Sequence, residues 1–195
     1  MATWKGIIGK GFKAADFDDY LATVKFNAWR PQFVVLHNTQ VPKLKDWHKV
    51  PGQQQIKNLE KFYKNVQKWS AGPHLFVADD LIWAFTPLNT AGVHAPSWNH
   101  IAWGVELVGD YDVEPLSDAL KQNAIVALAG LHRLAGLDPA TLRLHKEDPK
   151  TTHKFCPGKN ISKADFQKWI ADQIQADHPG EHQPGLAHAA AAGTK

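Results

Sequence analysis

Four apolar residues, Phe33-Val34-Val35-Leu36, run directly into His37-Asn38-Thr39. A short apolar run closed by turn-forming polar residues reads as a buried strand that delivers a histidine at its exposed end. We take it as the first central strand of a sheet, which the rest of the chain must complete and cover. The histidine decides nothing by itself, because a core-edge histidine capping a strand is also common.

A second stretch raises the chemical content. Leu144 to Gly158 reads L-H-K-E-D-P-K-T-T-H-K-F-C-P-G and holds His145, His153 and Cys156, the only cysteine of the chain. A lone cysteine forms no intramolecular disulfide, so its value lies in packing or in thiolate chemistry. Histidine and cysteine are ligand types that zinc prefers, and a catalytic zinc needs three protein ligands with a fourth position left for water. Closely spaced histidines also occur on solvated loops, and by spacing alone His153 is as good a ligand as His145. Together with His37, however, the stretch makes a metal site a better reading than either half does.

The elements between these two stretches predict one α/β domain with a single mixed central sheet flanked by helices. Residues 1–13 read as an extended lead-in. Ala14, Phe17, Leu21 and Val24 recur at helical spacing, giving a short helix over Asp16 to Val24. Val41 to Gly52 reads as a loop in which Trp47 and His48 could line a groove or pack as a lid. Gln53 to Trp69 is an amphipathic helix with Ile56, Leu59, Phe62 or Tyr63, Val66 and Trp69 on one face. Its lysines at 57, 61, 64 and 68 lie away from that face and read as solvated charge. His74–Ala78 and Leu81–Phe85, joined across Asp79-Asp80, form a hairpin.

A polar loop from Pro87 to His100 follows, with His94 and Trp98 in it, and then a strand over Ile101–Val108. In that strand Trp103, Val105 and Leu107 alternate with Ala102, Gly104 and Glu106, so the carboxylate faces away from its apolar neighbours. A mid-strand carboxylate needs a charged partner or a catalytic role. Leu116 to Ala135 is the longest helix, with Leu120, Ala124, Ala127, Leu131 and Leu134 as its core stripe and Gly136 as its stop. Leu142–His145 reads as a short strand, and Ser162 caps a last helix ending at Asp177. Residues 1–178 are thus expected to form the domain, and 179–195, rich in Gly, Pro, His and Ala, a disordered tail.

At 195 residues, with 44% hydrophobic and 21% charged residues, the chain suits a globular domain with a proper core. The net charge of +3 would favour an anionic polymer such as a cell wall, but is too small to argue for nucleic acid. Met1 to Lys10 has no apolar core of signal-peptide length, and no stretch is long enough to span a membrane. Synthesis in the cytoplasm is therefore expected, with action outside it only after release by something else.

With these residues in place, the chain resembles the zinc-dependent N-acetylmuramoyl-L-alanine amidases of type 2, a family that takes in small phage lytic amidases and peptidoglycan-recognition proteins. The resemblance covers roughly Phe33 to Ile170. It rests on V-V-L-H-N-T at 34–39, on G-V-H-A at 92–95 followed by Trp98-Asn99-His100, on G-V-E-L-V-G at 104–109, and on the segment from His145 to Gly158. It implies His37, His145 and Cys156 as ligands of one Zn2+, favouring His145 over His153. Glu106 falls where the cytoplasmic anhydromuropeptide amidases have their catalytic glutamate, and Lys154 where catalytic members carry a lysine. Phage amidases have a catalytic tyrosine just before the histidine matching His74. Pro73 stands there in this chain, so the resemblance gives that role to Glu106.

The activity implied is hydrolysis of the amide between N-acetylmuramic acid and L-alanine, on peptidoglycan or a muropeptide, by a chain acting as a monomer. Glu106 would move the proton and Lys154 would stabilise the oxyanion. Lys154 is also expected to lower the pKa of the neighbouring Cys156 thiol. Asn38, His74, His94 and Asn99 are expected to line the substrate groove. A phage endolysin is the setting favoured. A recycling amidase, a non-catalytic muropeptide-binding module and a structural zinc scaffold using His153 as fourth ligand are the alternatives.

Overall fold

The computed structural model describes residues 3–177, and the predicted mixed sheet runs through them as six strands. In chain order these are β1 (Lys10–Phe12), β2 (Phe33–Asn38), β3 (Leu75–Val77), β4 (Ile82–Ala84), β5 (Ala102–Leu107) and β6 (Arg143–Leu144). The helices are α1 (Ala14–Ala22), α2 (Leu44–Trp47), α3 (Gly52–Lys61), α4 (Asp118–Ala135) and α5 (Lys163–Asp177). The tail expected over 179–195 lies outside the described residues. Among those residues no helix is long and apolar enough to cross a membrane.

Across the sheet the order is β1-β4-β3-β5-β2-β6. The first three strands pair antiparallel, through the expected hairpin, and the last four pair parallel. Parallel pairing brings the carboxyl ends of β5, β2 and β6 to one edge. There His37 stands opposite Glu106, and His145 follows directly on the Leu36–Leu144 pair.

Alternation along the strands sorts the side chains between two covered faces. Val34, Leu36, Leu75, Val77, Trp103, Val105 and Leu107 enter a core that also holds Phe17 of α1, Leu128 and Leu131 of α4, and Phe166 and Ile170 of α5. The opposite face carries Phe76, Trp83 and Phe85 against Ile56, Leu59 and Tyr63, and Phe33, Val35 and Ala102 against Ala95. With both faces covered, β2 has to be apolar at successive positions, which is why its sequence runs F-V-V-L without alternation.

α4 forms where its periodicity predicts. The Ser117 hydroxyl accepts from the Leu120 N–H at 3.3 Å, Leu120, Ala124, Ala127 and Leu131 are buried, and Gly136 closes the helix in the left-handed conformation at φ 65°. Full burial of each such leucine contributes about 1.5–3 kcal/mol.

Three expectations need correction. The lead-in is not merely extended, because Lys10–Phe12 pairs with β4 and closes that edge of the sheet. The loop from Val41 to Gly52 contains α2, in which Trp47 takes the packing alternative, fully buried in the core. The helix expected over 53–69 is α-helical only to Lys61 and continues as a π-helical turn over Phe62–Val66, marked by the Gln67 N–H bonding Phe62 O at 3.0 Å. Of the two aromatic alternatives, Tyr63 takes the buried position, four residues after Leu59, and after the wider turn Val66 is exposed.

Candidate metal centre

The three histidine and cysteine side chains assembled at the carboxyl edge of the sheet come from separate elements. His37 lies in β2, His145 begins the 3-10 turn after β6, and Cys156 arrives on the closing loop. One ligand atom from each lies within 4.8 Å of the others. The loop that carries Cys156 is pinned at several points. The Lys146 N–H donates to Cys156 O at 2.9 Å. The buried Asp148 carboxylate accepts from the Ser97 N–H at 2.9 Å and the Lys150 N–H at 2.8 Å. Gly158 sits at φ 110°, and a Cβ there would come within 2.4 Å of the Tyr111 carbonyl carbon, so the loop closes only on glycine. His153 stays outside the cluster, its ring centroid 5.4 Å from that of His145.

Burial keeps the whole group uncharged. It holds His37 well below the usual imidazole range, helped by His145, His94 and His153, and takes His145 down to about 4, helped by His153. It pushes the Cys156 thiol up, with the Glu106 charge acting in the same direction. The Asn38 backbone and the Lys146 cation act in the opposite direction, favouring the thiolate. Burial likewise raises the Glu106 carboxyl to about 8, so without a nearby cation it keeps its proton at neutral pH. Its Oε1 lies 3.9 Å from His37 Nδ1, too far for a hydrogen bond, and its buried Oε2 has no partner.

Two neutral imidazoles, a thiol and an unpartnered carboxyl in a dry corner suit a divalent cation that takes nitrogen and sulfur ligands. The donor set matches zinc with an open position, and is too poor in oxygen for magnesium or calcium.

The cluster opens into a cleft of about 740 Å³. Gln55, Asn58, Phe62 and Tyr63 line one side of it, and Thr152 to Phe155 also contribute, so Lys154 stands in the cleft with the metal cluster. Asn38 lines it too, with its amide nitrogen donating to Gly109 O at 3.2 Å. Sequence reading missed the contribution of α3 and its π turn. The available signal was the amides at Gln55 and Asn58, which flank the apolar face. It also missed Phe155, 75% exposed, and Thr151, whose hydroxyl lies 2.9 Å from His145 Nε2.

The expected groove residues divide. His94 lines the cleft, yet both its ring nitrogens are engaged, with His37 Nε2 and with Ala102 O, each at 3.1 Å. His74 is wholly buried. Its Nδ1 accepts from the Gly104 N–H at 3.0 Å and its Nε2 donates to Thr90 O at 2.9 Å, which leaves nothing for a substrate. Asn99 Oδ1 accepts from the N–H groups of His94 and Ala95 at 2.7 and 2.8 Å and shapes their loop. For His74 and Asn99, then, the contacts serve the fold, and neither lines the cleft. His48 meets Asp79 at 2.7 Å on the surface, and Trp98 packs edge-on against Phe33.

The family described as N-acetylmuramoyl-L-alanine amidase matches residues 27–159, more than half of the chain. Among curated proteins none matches in sequence. Several solved structures share the fold. A point variant of Drosophila PGRP-LB in complex with tracheal cytotoxin superposes with a TM-score of 0.62 at 22% identity, over 75% of this chain and 86% of that one. The endolysin N-acetylmuramoyl-L-alanine amidase LysCS of Clostridium intestinale gives 0.55 at 24% identity, over 78% and 86%. Drosophila PGRP-SA gives 0.60 at 20% identity, over 75% and 83%.

Proposed function

Because the chain belongs to the N-acetylmuramoyl-L-alanine amidase family, we propose that it hydrolyses the amide between N-acetylmuramic acid and L-alanine of peptidoglycan, with one zinc ion held by His37, His145 and Cys156. The observation that carries this reading is the convergence of those three ligand atoms within 4.8 Å, beside the buried and unpartnered Glu106 carboxyl. Bound there, zinc would supply a nucleophilic water at neutral pH and Lewis acidity toward the amide carbonyl.

The chain's own residues do the rest. Beside a cation held by His37, His145 and Cys156, Glu106 would be ionised, reversing the effect of burial. The carboxylate then takes the proton of the attacking water and passes it to the departing L-alanine nitrogen. Lys154, in the same cleft, provides positive charge for the oxyanion of the tetrahedral intermediate. The cleft lining, with the Asn58 amide and the aromatic ring of Phe62, suits a ligand with both sugar and peptide parts.

We place the activity in a phage-type endolysin, consistent with the LysCS likeness. A cytoplasmic amidase for anhydromuropeptides uses the same chemistry. A module that binds muropeptide without cutting it is favoured by a different observation, the likeness to a PGRP-LB variant in complex with tracheal cytotoxin.

The test is turbidity loss of outer-membrane-stripped Gram-negative walls, with and without a zinc chelator, beside Lys154→Ala. Wall clearing that needs zinc, and a turnover lowered on the order of 10²–10³ in the variant, is the expected result. Cleavage of soluble anhydromuropeptides without clearing moves the role to recycling. Muropeptide binding with no cleavage of either substrate overturns the enzyme and leaves the binding module.

A further inference from the structure

Behind each of the two histidines of the cluster stands a polar side chain on the far ring nitrogen. His94 Nε2 lies 3.1 Å from the carbonyl oxygen of Ala102. A carbonyl only accepts, so that nitrogen carries the proton, and the neutral ring offers Nδ1 as an acceptor. His94 Nδ1 in turn lies 3.1 Å from His37 Nε2, which must therefore donate. A neutral His37 then keeps its lone pair on Nδ1, the atom that looks toward Glu106. One backbone carbonyl of β5 thus sets the tautomer two rings away.

Nothing in this relay is loose. The His94 ring lies over Gly104, where a Cβ would come within 2.4 Å of its Cγ, and its N–H is held by Asn99. On the other histidine, Thr151 Oγ1 meets Nε2 at 2.9 Å and also accepts from the His153 N–H at 3.1 Å. Thr151 is buried, so this contact does not exchange with solvent.

We propose that His94 and Thr151 are positioning residues that commit Nε2 of His37 and of His145 to hydrogen bonds and so leave Nδ1 of each as the metal-binding atom. Outer partners of this kind orient a ligand ring, and His94, anchored on the Ala102 carbonyl, also fixes the tautomer of His37. The inference rests on reading His37, His145 and Cys156 as zinc ligands, and it assigns His94 a task other than substrate contact.

The first test needs neither zinc nor a variant. Long-range 1H–15N spectra of metal-free protein with 15N-labelled histidine should show His37 protonated at Nε2 and bare at Nδ1. The second is zinc affinity by chelator competition. His94→Phe keeps a ring over Gly104 but removes the acceptor, and should weaken zinc about 10–100-fold with folding retained by thermal melt. His94→Gln, which can both accept and donate, should recover part of the loss, and Thr151→Val should show a loss of its own. His37 protonated at Nδ1 overturns the inference. So does His94→Phe binding zinc as tightly as wild type, and in that case the ligand reading stands. A wild-type protein that takes up no zinc overturns the ligand reading and this inference with it. If His94→Phe does not fold, the spectra and Thr151→Val decide.

Discussion

The two faces of the sheet are made by alternate residues of the same strands, and they are built on opposite terms. On the face under α1, α4 and α5, the strand positions Val34, Leu36, Leu75, Val77, Trp103, Val105, Leu107 and Leu144 are apolar and pack into one core. On the other face the apolar run stops one rung before the carboxyl edge, and His37, Glu106 and His145 take the places where Val or Leu would fit. Those side chains are buried about as deeply as their apolar neighbours. The difference teaches where the molecule spends stability: the first face accumulates it, and the second gives some up to keep uncharged polar groups in a dry corner.

The sharpest way to break this comparison is to change one group on the polar face. Glu106→Gln keeps shape and removes the proton acceptor, so turnover should fall about 10²–10⁴-fold while zinc content and melting temperature hold. Steady-state rates beside metal analysis check this. A variant that loses zinc and activity together would make Glu106 part of the binding site instead. The mirror experiment is Leu128→Ala, in the wholly apolar core far from the cleft. It should cost about 2–5 kcal/mol in urea unfolding and leave kcat and KM unchanged at temperatures where the variant is folded.

A change of pH should separate the faces without mutation. Burial takes His74 down to about 3, and lowers His132 as well, although neither belongs to the cluster. With folded pKa values below the unfolded value near 6.5, these groups take up protons first in the unfolded chain. The histidine contribution is therefore full above about pH 6.5 and is lost as pH falls, down to about 3 for His74, while Glu106, raised to about 8 without a cation, contributes in the opposite sense as pH rises from about 4.5 to 8. Each contributes a slope of about 1.4 kcal/mol per pH unit within its window. Urea titrations of metal-free protein at pH 7.5, 6.0 and 5.0 read it, and His37, His94 and His145 should steepen it further. The smallest effect expected is at a helix end. Ser117→Ala removes the cap of α4 and should cost about 1 kcal/mol, seen as a lower melting temperature with activity intact.

Local pattern made much of this legible. The run F-V-V-L-H announced β2 and its histidine, because a buried strand must be apolar until it reaches the edge. The alternation W-G-V-E-L puts Glu106 on the opposite face from Val105 and Leu107. The α4 stripe from Leu120 to Leu131 followed from 3.6-residue spacing. Where local pattern failed, a long-range partner had decided. Lys10–Phe12 is a strand only because β4 offers it an edge; the exposure of Val66, by contrast, follows from a local widening of the helix after Lys61.

By itself, then, the sequence determined the class of fold, the order of its elements and the residue types available for a metal. Each follows from hydrophobic periodicity or ligand chemistry, which are local properties. Only the tertiary structure decided which of those residues meet. Parallel pairing of β5, β2 and β6 put Glu106 and His145 beside His37, and the closing loop added Cys156 and left His153 out. It also turned His74 and Asn99 inward and set His94 behind His37. Hydrogen-bond partners are a matter of three-dimensional proximity, and a string of side-chain identities does not contain them.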